Sequence, residues 1–433
     1  MTGTLARTLR KNFAHTFRSL SVRNFRLFAA GQVVSVAGTW MMVIAQDWLV
    51  LDLADNSGTA LGLVTALQFT PLMLFTLYGG RLADRYDKRL LLTIANICSG
   101  ALALVLALLA FLGLVELWHI WLCAFGLGLV NSVEVPTRMA FVSELVGSEL
   151  LPNASALSAA YFNVARVIGP ALAGLLITAF GTGWVMLINA LSYAGTVIGL
   201  RRMRPEEMQR APRSAGAARV LDGLRYIGGR PDLTLMIALI GLIGLFGLNF
   251  QLTLPLLAKT VFHADAAAFG LLTTGFAAGS LLAAFLTTAR RGRPSSRLVI
   301  VSALGFGALE TATGWAPNFT TAVAVLFCTG FATIFFAQAA NHRIQLGSDP
   351  QFRGRVLALY TLILQGTTPL GALLIGWLTE HHGARSGLVL GGLVSLAAAL
   401  AVGAFDHRIR SRRARTPVPA APAPIPYRDS SRT

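Results

Sequence analysis

What most constrains this chain is the recurrence of apolar runs too long for any soluble helix. Runs of 18 or more predominantly apolar residues follow one another along nearly the whole sequence. A helix needs about 20 such residues to cross roughly 30 Å of hydrocarbon. Charged residues make up 13% of the chain, where about 25% is usual for a globular protein. The 43 glycines suit helices that pack closely in lipid, where no hydrophobic force drives them together and small residues let backbones approach. The chain reads as an all-α polytopic membrane protein.

The runs place twelve transmembrane helices near 26–51, 60–80, 90–112, 118–142, 153–180 and 183–200, then 233–257, 267–289, 298–315, 319–341, 355–379 and 385–405. A net charge of +17 would by itself allow a nucleic-acid partner, but its distribution argues against one. Of the 36 lysines and arginines, all but three fall on one side of this topology. The exceptions are Lys259 and Arg385 on the other face and Arg166 inside a span. The positive-inside rule then makes both termini cytoplasmic in a cell (inner or plasma) membrane, and the basicity becomes attraction to anionic headgroups.

Five segments follow. Residues 1–25 are a basic cytoplasmic segment, 26–200 a first bundle of six helices, 201–232 a connector, 233–405 a second bundle of six, and 406–433 a Pro-rich tail that reads as disordered. Residues 1–20 are Arg-rich and lack acids, as in a transit peptide, but read better as a retained amphipathic segment. In the connector, Val220, Leu221, Leu224 and Ile227 keep helical spacing, which predicts an amphipathic helix lying on the lipid surface. Cys98, Cys123 and Cys328 all lie in apolar spans and imply no disulfide framework. Tyr161 and Tyr360 keep the same offset as Pro170 and Pro369, each pair in the fifth span of its half. With the 6+6 pattern this favours two parallel repeats.

One polar interruption stands out: GGRLADRYDKR, residues 79–89, between spans two and three. Gly80 offers a backbone another helix can approach, and Asp84 lies one turn later on the same face. A carboxylate there suits a basic neighbour or the N-terminus of a helix, with span eleven a candidate. Arg85, Lys88 and Arg89 are placed to hold the loop at the headgroups.

No phosphate-binding loop, zinc motif or nucleophile elbow occurs, so the chain reads as a non-enzyme with no cofactor. An ion gradient is the remaining drive, and proton coupling needs titratable groups within the spans, where they are rare because they are costly. Those present are Asp47, Glu134, Arg166 and Glu310, with Arg138 and Glu144 at a boundary. Arg166 lies roughly 20 Å into span five. Asp47 is read either as an interfacial carboxylate beside Trp48 or as a proton acceptor approached by Arg166. Glu134 and Arg138 are spaced for an i,i+4 pair, and Glu310 is expected to face lipid near the outside. Gln32, Trp40, Tyr161, Asn163, Asn249, Gln251, Tyr360 and Gln365 are candidates to line a cavity suited to an amphipathic organic molecule.

The stretch from Gly80 to Arg89, G-x-x-x-D-R-x-x-K-R, resembles the signature loop of the major facilitator superfamily. Asp87 stands where that loop usually has a glycine. SVRNFRLFAAGQVVSVAGTW, AQDWLVL, TALGLVTALQFTPL and NVARVIGPALAG extend the resemblance to the transmembrane secretion effector branch, which includes enterobactin exporters and macrolide-type efflux proteins. Gly169-Pro170 and Gly174 resemble the fifth-helix element of superfamily antiporters. The resemblance implies two six-helix bundles around a central cavity, alternating access, and a role for Asp84, with Arg138 a candidate partner, in latching the cytoplasmic side. The expected function is secondary active export of a drug-like molecule, siderophore or other secondary metabolite by proton antiport, as a monomer. An uptake carrier for a small organic solute and a non-transporting receptor or scaffold are the alternatives.

Overall fold

In the computed structural model, residues 17–209, 220–288 and 292–415 are described. The expectations for 1–16, for 210–219 and for the end of the tail from 416 lie outside the described residues. The first half comprises α1 (Arg23–Leu53), α2 (Gly58–Arg85), α3 (Lys88–Leu112), α4 (Leu117–Phe180) and α5 (Thr182–Arg201). After a connector helix, α6 (Val220–Gly228), the second half holds α7 (Pro231–Phe246), α8 (Phe250–Leu256), α9 (Ala266–Thr288), α10 (Ser296–Gly314), α11 (Phe319–Gly347), α12 (Arg353–His382) and α13 (Ala384–Arg415). Among the described residues, ten helical stretches are long and apolar enough to cross a membrane. The 64-residue α4 supplies two spans, and the 19-residue α10, outside those ten, makes the twelfth.

Spans four and five run on without the expected loop, and α4 breaks at one residue. Gly147 takes φ 70° and ψ 177°, a conformation glycine adopts without steric cost. The limb 117–146 packs on α2 at Gly79 and Gln68, on α3 at Leu102 and, through Phe141, on Phe28 of α1, while 148–180 packs on Trp40 of α1 and Ala266 of α9. Span seven, expected to be continuous over 233–257, is instead broken at 247–249 between α7 and α8, and a π-helical turn follows at Leu257–Val261.

Lys88, Arg89, Arg204, Arg230 and Arg293 gather at one end of the molecule, the basic end. There Asn24 and Arg204 exchange hydrogen bonds of 2.8 and 3.0 Å that tie the start of α1 to the connector. The connector helix is fastened to the second half through its C-terminal end. Its Tyr226 ring stacks on Phe352 at 4.4 Å, its Tyr226 hydroxyl accepts from Asp349 N, and Ile227 is buried. Tyr226 and Ile227 thus pack on the second half, while Leu224 is exposed. At the other terminus α13 runs to Arg415, ten residues beyond the expected end of the bundle. Residues 406–415 contain neither proline nor glycine, and the first proline of the tail is Pro417.

Candidate functional site

The 79–89 loop is built differently from its sequence reading. A Cβ at Gly80 would meet nothing within 4 Å; the close approach is at Gly79, whose backbone lies directly against the Ser132 carbonyl of α4. Asp84 is exposed and Arg85 sits 5.8 Å over the Tyr86 ring. Lys88 and Arg89 hold protein rather than headgroups. Lys88 Nζ donates to Glu144 Oε1 at 2.7 Å, and Arg89 donates to the carbonyls of Leu200 (2.7 Å) and Arg201 (2.9 Å). Those carbonyls end α5, so the cation also meets the negative end of that helix. Asp87 caps α3, accepting from Leu90 N at 2.9 Å.

Within the first half, α1 to α5 line a cavity of about 240 Å³ that meets the second half at Gln251. Its polar wall carries Gln32, Gln46, Gln68, Asn96, Asn131 and Asn189, with Trp40 beside them. Among the described residues, Gln251 is the one lining side chain from the second half. Glu134 and Arg138 also line it, Oε1 to Nε 3.1 Å, a charge contact in which the Nε–H is not aimed at the carboxylate. Arg138 pairs here with Glu134 and not with Asp84. A second hollow of about 400 Å³ shares Arg138 and Phe162 and is lined by Tyr161 and Asn163.

Three expected cavity residues lie elsewhere. Asn249 is buried at the break in span seven, Tyr360 is buried with its hydroxyl donating to Ala337 O at 3.4 Å, and Gln365 is exposed on α12 away from the cavity lining. The amides at 46, 68, 96, 131 and 189 were not singled out from the sequence. Gln68, Asn96 and Asn189 stand in runs that are apolar nearly all round, so periodicity gives no face to assign them to, and Gln46 and Asn131 lie in the shadow of the charges at Asp47 and Glu134.

Arg166 is half-buried with its guanidinium 5.5 Å over Trp40 of α1 and 5.9 Å over Phe276 of α9. Aromatic faces attract a cation where water is scarce, and here they come from both halves. It forms no ion pair with Asp47, which is buried on α1 with Oδ2 unpartnered. Trp48, partly buried, stacks on Phe269 at 6.4 Å and receives Lys259 on its face. Glu310 does not face lipid; it is 2% exposed inside the second half.

The contacts joining the halves cluster from mid-membrane to the end remote from the basic residues. Thr274 donates to Val167 O at 3.0 Å. A Cβ at Gly174 would lie 2.5 Å from Ala266 O, and one at Gly376 2.6 Å from Gly58 O. Pro170 and its carbonyl face Gly270, while Gly169 packs on Trp40 within its own half. Lys259 bonds Asp52 across the halves. Glu380 of α12 accepts from Ser57 Oγ (2.9 Å) and Thr59 N (2.8 Å), so a carboxylate from one half caps a helix of the other.

A polar cavity walled by membrane spans, with the halves fastened beyond it, is transport architecture. The profile of the transmembrane secretion effectors matches residues 14–427. The chain belongs to this family. It is a multi-pass membrane protein of the major facilitator type, and its family members are transporters, not enzymes. The chain is 24% identical over 370 residues to the staphyloferrin A transporter of Staphylococcus aureus, covering 83% of this chain and 90% of that one. It is 22% identical to macrolide efflux protein A of Streptococcus pyogenes, over 86% of this chain and 93% of that one. Its fold matches the crystal structure of a point mutant of the nucleoside transporter NupG with a TM-score of 0.70 at 13% identity, covering 88% of this chain and 98% of the other.

Proposed function

We propose that this protein exports a small amphipathic organic molecule, of drug-like or siderophore type, by proton antiport with alternating access, its basic end in the cytoplasm. The observation that carries the reading is the placement of the fastenings. The halves are tied at Asp52–Lys259, by Glu380 of α12 where it caps α2, and at the glycine contacts, whereas Asp84 at the basic end is exposed. That is the arrangement of a carrier open toward the cytoplasm, with Asp84 free to latch when the basic end closes. The efflux and siderophore-transport names of the relatives support the substrate class, and the amide-lined cavity supplies neutral donors and acceptors for it.

Inside-out vesicles with an imposed pH gradient test this. Uptake of a macrolide or catechol-type probe driven by an acidic lumen is expected. Movement in the opposite direction would make the protein an importer, and flux indifferent to the gradient would remove proton coupling. In the same assay Asp84→Asn should raise thiol labelling from the cytoplasmic side, and equal labelling of mutant and parent would reject the latch.

A further inference from the structure

Span seven is interrupted about 24 Å along the helix from Pro231. α7 ends at Phe246 and the helix resumes at Phe250, which frees carbonyls that lipid cannot satisfy. Asn249 repairs part of the loss, its Nδ2 donating to Leu245 O at 2.9 Å and Phe246 O at 3.2 Å. Irregular backbone at this depth is tolerated where it is buried in protein, and in transporters it often handles an ion.

The group facing this break is Glu310 of α10, about 21 Å along the helix from Ser296. A Cβ at Gly391 of α13 would lie 2.5 Å from Glu310 Oε1 and 2.6 Å from Phe246 O. One at Gly247 would lie 3.0 Å from Glu310 Oε2 and 2.8 Å from Ser395 Oγ. The carboxyl is thus clasped between the broken helix and α13, and its Oε2 has no hydrogen-bond partner. Among the described residues no charged group on α7, α8, α10, α11 or α13 pairs with it. Arg385 donates to the Gly314 carbonyl one turn further on (3.2 Å), Lys259 is held by Asp52, and Asp232, Arg297, His342, Arg343, Asp406, His407 and Arg408 lie toward the basic end.

A bare carboxylate so enclosed is costly, and glycine backbones at these distances leave no room for a metal cation with its several oxygen ligands. A proton adds no volume. We propose that Glu310 is a proton-carrying site of this transporter, loaded and unloaded as the break in span seven opens and closes. The proposal rests on the antiport reading above.

The packing also gives the proton a way to act. The break presses on α12, where Gly371 lies directly against Leu245 O, and a Cβ there would be 2.9 Å from Asn249 Oδ1. The next residue, Ala372, meets Gly62 of the first half. Loss of the proton leaves a charge without compensation at the break, which favours separating these elements. The protonated carboxyl therefore stabilises the arrangement seen here, with the remote end closed. This is the sign antiport needs, a proton bound from outside returning the empty carrier inward.

Two measurements on the reconstituted full chain test this. Infrared difference spectra across a pH step should contain a protonated-carboxyl C=O band that disappears in Glu310→Gln. Spin labels at exposed positions 53 and 382, with Cys98 and Cys328 replaced, should report a remote end that opens as pH rises in the parent and stays closed in Glu310→Gln. Glu310→Asp, which keeps the acid and fills the site less, should retain the response with a displaced midpoint, and serves if the Gln variant does not fold. A carboxyl band that ignores pH, or a Gln variant that opens like the parent, overturns the assignment. Parent flux indifferent to a pH gradient would instead overturn the antiport reading, whatever the spectra show.

Discussion

Asp87 shows how a single substitution can be absorbed by local chemistry. The superfamily loop usually has glycine there, and here the aspartate caps α3 through Leu90 N. Removing such a cap costs about 1 kcal/mol when alanine replaces it and only a few tenths when glycine does. Asp87→Ala should therefore lower the thermal midpoint in detergent measurably, with Asp87→Gly close to the parent; equal losses would deny the cap. Arg166 is the second residue whose role follows from its surroundings. Held over Trp40 and Phe276, it should tolerate Arg166→Lys poorly, because an ammonium cannot stack as a planar guanidinium does. Gradient-driven flux is expected to fall several-fold in Arg166→Lys and to vanish in Arg166→Gln with expression near normal; unchanged flux in the Gln variant would reject a role in coupling. The sequence was enough to single out Arg166, since a mid-span charge is conspicuous. It was silent on the aromatic partners, which belong to other helices.

At the level of elements, what could be read was the number and place of the spans, because hydropathy over 20 residues averages out local detail. What could not be read was where a span breaks. Gly147 and Gly247 look like the chain's other glycines, and only the first has a positive φ. The second break is identified by Asn249, whose amide substitutes for backbone donors. Asn249→Ala should leave the Leu245 and Phe246 carbonyls short of a partner, at about 1–3 kcal/mol, seen as a lower unfolding temperature. A variant as stable as the parent would mean that the break is satisfied some other way. The amphipathic connector shows the same limit from another side. Its apolar spacing was plain in the sequence, but the contact that fastens its Tyr226 to the second half depends on Phe352, far along the chain.

For the whole molecule, the fastening of the halves at the remote end defines the state. Asp52 and Lys259 replaced by cysteines and joined with a cleavable thiol cross-linker should hold that end shut and stop flux, with activity returning on cleavage. Transport that continues while cross-linked would show that the remote end need not part. The cavity has a different lesson, since its polar wall belongs almost wholly to the first half. A passenger held by that wall keeps the same seat while the opposite bundle tilts past it, so recognition and motion are assigned to different halves of one polypeptide. Exchanging residues 26–200 between relatives should then transfer the cargo preference, and exchanging 233–405 should alter the pace and pH response while leaving that preference in place.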